Sequence, residues 1–121
     1  MKLIEVNIQR IIDLCRKYRV KSLAVFGSIL TDRFNDSSDV DLLVDFDTTN
    51  HEQWDYVKNY FDFREALEFV LGRKVDLIEQ QGLKNKYFIQ NINRNKQVIY
   101  GWNWIRTIIV GMQSAKTSSS G

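Results

Sequence analysis

Apolar residues recur with helical period along the first eighteen positions. Ile4, Ile8, Ile11, Ile12 and Cys15 fall on one stripe, which predicts an amphipathic helix over residues 3–18 covering a sheet. Two short apolar runs follow, Leu23–Phe26 and Val40–Phe46, each of strand length. In the second, Val40, Leu42, Val44 and Phe46 alternate with polar positions, so the pleat sends them to the core. Between the runs the pattern predicts a short helix over 29–34 and a turn at Asn35-Asp36-Ser37-Ser38. A polar loop, 47–55, leads to a long helix from about residue 55 to Leu71, stopped by Gly72. Its inner face is read as Val57, Phe61, Leu67, Val70 and Leu71, with Tyr56, Tyr60 and Phe63 as core or rim. Residues 74–79 form a third strand with Val75 and Leu77 on one face and Asp76 on the other; 83–93 suggest a last helix and 97–100 a short edge strand. The implied architecture is α/β (α+β), a small mixed β-sheet with helices packed on it.

The pattern changes after Gly101. Residues 1–101 read as one domain, and 102–121 as an extension. Trp102, Ile105, Ile108, Ile109 and Met112 have helical spacing and precede a low-complexity SAKTSSSG end predicted to be disordered. The extension is too apolar to stay solvated as an isolated helix. It points to packing on its own domain, a homodimer or a heteromeric partner.

Composition narrows the function classes. With 121 residues, 44% of them hydrophobic and 12% aromatic, the chain can bury a modest single core. The 17 basic and 15 acidic residues leave a formal charge of only +2, which argues against dedicated nucleic-acid binding. No apolar stretch has membrane-spanning length, and MKLIEVNIQR lacks a signal-peptide core, so the expectation is a cytoplasmic protein. The single cysteine, Cys15, excludes an internal disulfide and lies in the apolar stripe, where a buried structural role is expected. His51 is alone in a polar loop, so no zinc-binding set is expected.

Candidate chemistry gathers between Leu23 and Phe46. Gly27 ends the first strand, where its backbone can turn sharply and let a bulky anion approach. Ser28 is read as a helix N-cap, and a helix start offers free N–H groups to phosphate. Asp39 and Asp41, two residues apart at the start of the next strand, point to one face. Paired carboxylates repel one another unless a cation lies between them, and an all-oxygen donor set suits Mg²⁺. Gly27-Ser28 ends one strand and Asp39-x-Asp41 begins the next. The two strands must therefore run antiparallel for both features to meet one ligand. Phosphate beside carboxylate-held metal is the layout of phosphoryl or nucleotidyl transfer.

Gly27-Ser28 followed by Ser38-Asp39-x-Asp41 resembles the signature of the DNA polymerase beta nucleotidyltransferase superfamily. The chain is most similar to its small MNT branch, the minimal nucleotidyltransferases, over about residues 1–101. That resemblance implies a polymerase-beta-like palm and makes Asp76 the third carboxylate. It implies two Mg²⁺ ions on Asp39, Asp41 and Asp76, and ATP as substrate, with Gly27 and Ser28 holding its phosphates. Where many relatives have Arg and Gly, this chain has Thr31 and Asp32, so Arg33 is the candidate replacement cation. The resemblance further implies an antitoxin that adds AMP to a tyrosine of a HEPN-domain toxin. Two alternatives stand beside it: a nucleotide-binding module that neutralises a partner by contact alone, and an oligomeric small-molecule nucleotidyltransferase.

Overall fold

The computed structural model describes residues 2–48 and 55–101. His51, Trp54 and the extension 102–121 lie outside the described residues. The amphipathic stripe near the N-terminus forms helix α1, Lys2–Lys17, and buries Ile4, Ile11 and Cys15. Four strands follow: β1 Val20–Phe26, β2 Val40–Phe46, β3 Val75–Glu79 and β4 Gln97–Gly101. Helix α2, Tyr56–Leu71, connects β2 to β3, and α3, Lys86–Asn95, precedes β4. The strand order is β3-β2-β1-β4, so β4 is an edge strand as its short pattern suggests. β1 runs antiparallel to both β2 and β4, whereas β2 and β3 are parallel because α2 carries the chain back across the sheet.

The pleat separates two environments. One face carries Leu23, Val25, Val40, Leu42, Val44, Val75 and Leu77, which pack against α1 and α2 in the main core. The other carries Ala24 and Leu43 and is covered more sparsely, by Ile92 of α3 with Phe26, Ile78, Leu83 and Val98 around it. Because side chains alternate along a strand, Asp41 and Asp76 necessarily point to this second, α3-bearing side. Cys15 is wholly buried in the main core, and desolvation pushes its thiol up to about 12.

Helix α2 differs from the sequence reading. Its buried stripe is Phe63, Leu67 and Leu71, with Tyr56 and Tyr60 packed alongside, while Val57 and Phe61 are exposed. Those two lie one position, about 100° of helix, beyond the tyrosines. The tyrosines win the inner face because their rings stack inward and their hydroxyls reach strand β3. Tyr56 packs edge-on to Phe46 and donates to Glu79; Tyr60 donates to the Leu77 carbonyl at 2.5 Å. The sequence also offers Tyr56 and Tyr60, with Trp54 in the 50–60 region, as exposed aromatics for docking a partner; the two tyrosines are instead half-buried against the core. Phe63 is fully buried against Tyr18 and Phe46, and its truncation to Ala should cost about 3–5 kcal/mol. The helix starts on an Asp55 cap, whose carboxylate accepts from the Lys58 N–H, and ends at left-handed Gly72. Among the described residues no helix is long and apolar enough to cross a membrane.

Candidate functional site

The end of β1 and the starts of β2 and β3 form one edge. Phe26 pairs with Asp41 across the antiparallel ladder, and Asp41 pairs with Asp76 across the parallel one. In-register neighbours share a face, so these two acids stand side by side on the α3 side of the sheet. Asp39 precedes β2 by one residue. Burial pushes the half-buried Asp41 carboxyl above the usual carboxylate range, and the charges of Asp76 and then Asp39 push it further. Asp39 and Asp76 thus both lie close enough to act on Asp41 electrostatically. Among the described residues, however, no three His, Cys, Asp or Glu side chains already form a metal-holding group. The strand register nevertheless places Asp41 and Asp76 side by side, with Asp39 two residues before Asp41.

Gly27 meets the acids directly. Its φ of +78° is left-handed, and a Cβ placed there would lie 2.3 Å from Oδ2 of Asp41. No side chain fits between this backbone and the carboxylate. Beyond it the sequence reading needs a correction. Ser28 does not cap a helix over 29–34; Gly27–Leu30 is one turn of 3-10 helix whose cap position is Phe26, without any side-chain capping bond. Thr31 closes the turn, its N–H and hydroxyl both donating to the Ser28 carbonyl, at 2.9 and 2.8 Å. Thr31 is thus committed to the backbone of its own turn. A single turn still leaves its first N–H groups without helical partners, which suits an anion.

The loop that delivers Asp39 is fastened by a residue that sequence reasoning missed. Arg73 donates to the carbonyls of Asn35 and Ser38, at 2.5 and 3.1 Å, and stacks over Phe34 with 4.4 Å to the ring centroid. Asn35 Oδ1 also accepts from the Ser37 N–H at 2.9 Å, folding the turn on itself. Arg73 follows the glycine that ends α2, so only the folded crossover brings it to this loop. Nothing in the local pattern marks it.

Arg33 lies on the site side, and the remaining strand acids lie away from it. Arg33 lines a cavity of about 530 Å³ between the Gly27-Ser28 turn and α3. Glu79 and Asp45 sit toward the opposite end of the sheet, Glu79 accepting the Tyr56 hydroxyl. A larger cavity, about 840 Å³, lies between α1 and β4 at that far end and contains none of the three clustered acids.

Known proteins resemble this chain in sequence and in fold. Residues 8–99 match the nucleotidyltransferase domain family. A Methanocaldococcus jannaschii protein that carries the provisional name protein adenylyltransferase is 38% identical over 79 residues, 65% of this chain and 76% of its own. Protein adenylyltransferase MntA of Thermococcus cleftensis is 34% identical over 73 residues, 60% of this chain and 69% of its own. A solved complex of a tri-AMPylated Shewanella oneidensis HEPN toxin with an MNT antitoxin contains a chain of the same fold. That chain superposes with a TM-score of 0.58 at 16% identity, covering 95% of this chain and 90% of its own. The matched stretch runs from α1 into β4 and holds every element of the acidic edge, and the chain belongs to the nucleotidyltransferase domain family.

Proposed function

We propose that this chain transfers AMP from ATP to a hydroxyl of a partner protein, a tyrosine of a HEPN toxin, and acts as its antitoxin. The observation that carries the reading is the register of Asp41 with Asp76, with the Gly27 backbone against Asp41. The adenylyltransferase relatives supply the transferred group, and the MNT–HEPN complex supplies the kind of partner.

The donor set fits Mg²⁺: three carboxylates at one sheet edge, with Asp41 pushed up by burial and by the charges of Asp76 and Asp39, an interaction a bound cation would relieve. Asp39, Asp41 and Asp76 would hold two such ions, which when bound lower the pKa of the attacking hydroxyl and neutralise charge on the leaving group. The chain's own residues do the rest. Gly27 allows the triphosphate to approach the acids, and its turn offers N–H groups and the Ser28 hydroxyl to the β and γ phosphates. Arg33 stands beside that turn as a cation for the same phosphates. Asp76, the outermost acid of the three, accepts the proton of the attacking hydroxyl. The acceptor oxygen bonds to the α-phosphorus, the bond to the β-phosphate oxygen breaks, and pyrophosphate leaves. The partner would carry the acceptor hydroxyl on a surface of its own that docks beside the acidic edge.

Incubation of the full chain with α-labelled ATP, Mg²⁺ and a purified HEPN-domain partner protein tests the proposal. Covalent label on the partner supports it. Label on a small molecule, or a stable complex without label, replaces it with one of the two alternative readings.

A further inference from the structure

The cavity beside the Gly27-Ser28 turn has a second wall that the transfer chemistry leaves unused. Helix α3 presents Phe88, Asn91 and Asn95 to it at positions i, i+3 and i+7, one helical stripe. Phe26 meets the Phe88 ring edge-on, with centroids 6.5 Å apart, which fixes that ring and leaves it 38% exposed. The two asparagines are arranged relative to one another. Asn95 Nδ2 donates to Asn91 Oδ1 at 2.8 Å and to the Asn91 carbonyl at 3.0 Å. These bonds leave Asn91 Nδ2 as a donor and Asn95 Oδ1 as an acceptor, without partners among the described residues.

On the strength of this wall, and resting on the nucleotide reading above, we infer that the cavity is the base subsite of the nucleotide and that Asn91 and Asn95 select adenine. An adenine edge offers an acceptor nitrogen next to the N6 amino donor, the complement of that asparagine pair. Guanine puts the O6 acceptor where adenine has its amino group, so it would face Asn95 Oδ1 with no proton between them. The exposed Phe88 ring supplies a stacking surface for the base. The volume of about 530 Å³ accommodates a nucleoside, and the shared Gly27-Ser28 wall connects it to the phosphates.

Binding of non-hydrolysable ATP and GTP analogues and of inorganic tripolyphosphate, measured by calorimetry on the full chain with Mg²⁺, tests the inference. The wild type should prefer the ATP analogue by roughly tenfold. Phe88→Ala should weaken the ATP analogue roughly tenfold and leave tripolyphosphate unchanged. Asn91→Asp, an exposed substitution that leaves an acceptor where the donor stood, should abolish the preference for adenine. Tyr87→Ala, on the same helix and 84% exposed, should change none of these values. If the wild type binds the ATP analogue but Phe88→Ala and Asn91→Asp bind it equally well, the subsite is overturned and the proposed function stands. Parallel loss of tripolyphosphate binding also overturns it, because the damage is then general. A wild type that binds no ATP analogue overturns both readings.

Discussion

Gly27→Ala separates two things a glycine can do, and the structure contains its own control. The residue is left-handed, φ +78°, and an alanine there costs about 1–2 kcal/mol in backbone strain alone. The added methyl would also lie 2.3 Å from Asp41 Oδ2. Normal contact needs about 3.5 Å, so the carboxylate must retreat by roughly 1 Å. A displacement of that size at a reacting centre costs on the order of a hundredfold in rate. Gly72 is left-handed to a similar degree, φ +65°, yet nothing lies within 4 Å of a Cβ placed there. Gly72→Ala should therefore carry the strain without the collision. Thermal melts should show both variants lowered by roughly 4–8 °C. Labelled-ATP transfer should show only Gly27→Ala falling about a hundredfold, with Gly72→Ala within about threefold of wild type. If Gly27→Ala transfers at close to the wild-type rate, the contact with Asp41 has no catalytic meaning. If both variants lose activity alike, strain rather than displacement explains the loss.

Asp41→Asn should abolish transfer yet leave the metal-free protein as stable as wild type or slightly more so, as read by urea unfolding; a clear loss of stability would contradict the repulsion argument. The sign with pH follows from the raised Asp41 pKa: the folded state holds its proton more tightly, so that contribution to stability is present at low pH and lost as pH rises through the folded value. Metal-free wild type should therefore gain stability relative to Asp41→Asn as pH falls toward the usual carboxylate range, and unfolding curves with the same pH dependence would refute this. Asp76→Asn should lower the transfer rate by on the order of a hundredfold while ATP-analogue binding stays within a few-fold, because its role is with the attacking hydroxyl; equal loss of both would place Asp76 on the nucleotide. Truncation after Gly101 retains all of β4 and should keep nucleotide binding while changing assembly state or solubility, checked by light scattering; unchanged monomers of both forms would remove the interface role of the extension.

Strands and acids were legible in the sequence because both report through a period of two. Val40, Leu42, Val44 and Phe46 were placed in the core by alternation, and the same alternation put Asp41 on the opposite face. Asp76 is tied to the other acids in the sequence only through family resemblance; the parallel register that sets it beside Asp41 across α2 leaves no mark in local pattern. The inner face of α2 departs from the sequence pattern because valine at 57 and phenylalanine at 61 lack the polar hydroxyl of tyrosine and so read as the more apolar positions. Tertiary context reversed that order by giving the tyrosine hydroxyls acceptors on β3. The turn after Gly27 closes early because Thr31 binds back to Ser28, a competition that propensity alone does not register. Arg73 acts through the Asn35 and Ser38 carbonyls, partners that only folding assembles, and Asn91 and Asn95 reach the Gly27-Ser28 turn only once α3 is docked. Single polar residues of that kind are indistinguishable from solvated surface until the chain is closed.

The lone thiol of Cys15 makes the molecule its own reporter. Alkylating reagents consume the thiolate, and a sulfur wholly buried with its ionisation pushed up to about 12 offers almost none at pH 8. Each labelling event therefore counts an opening of the main core, where α1 meets the sheet. Mass spectrometry can follow that count on unmodified protein. A nucleotide that binds only the closed form must slow it by the factor 1 + [L]/Kd. The reaction clock of one cysteine thus reads both fold stability and ligand affinity, with neither a chromophore nor a partner protein in the tube.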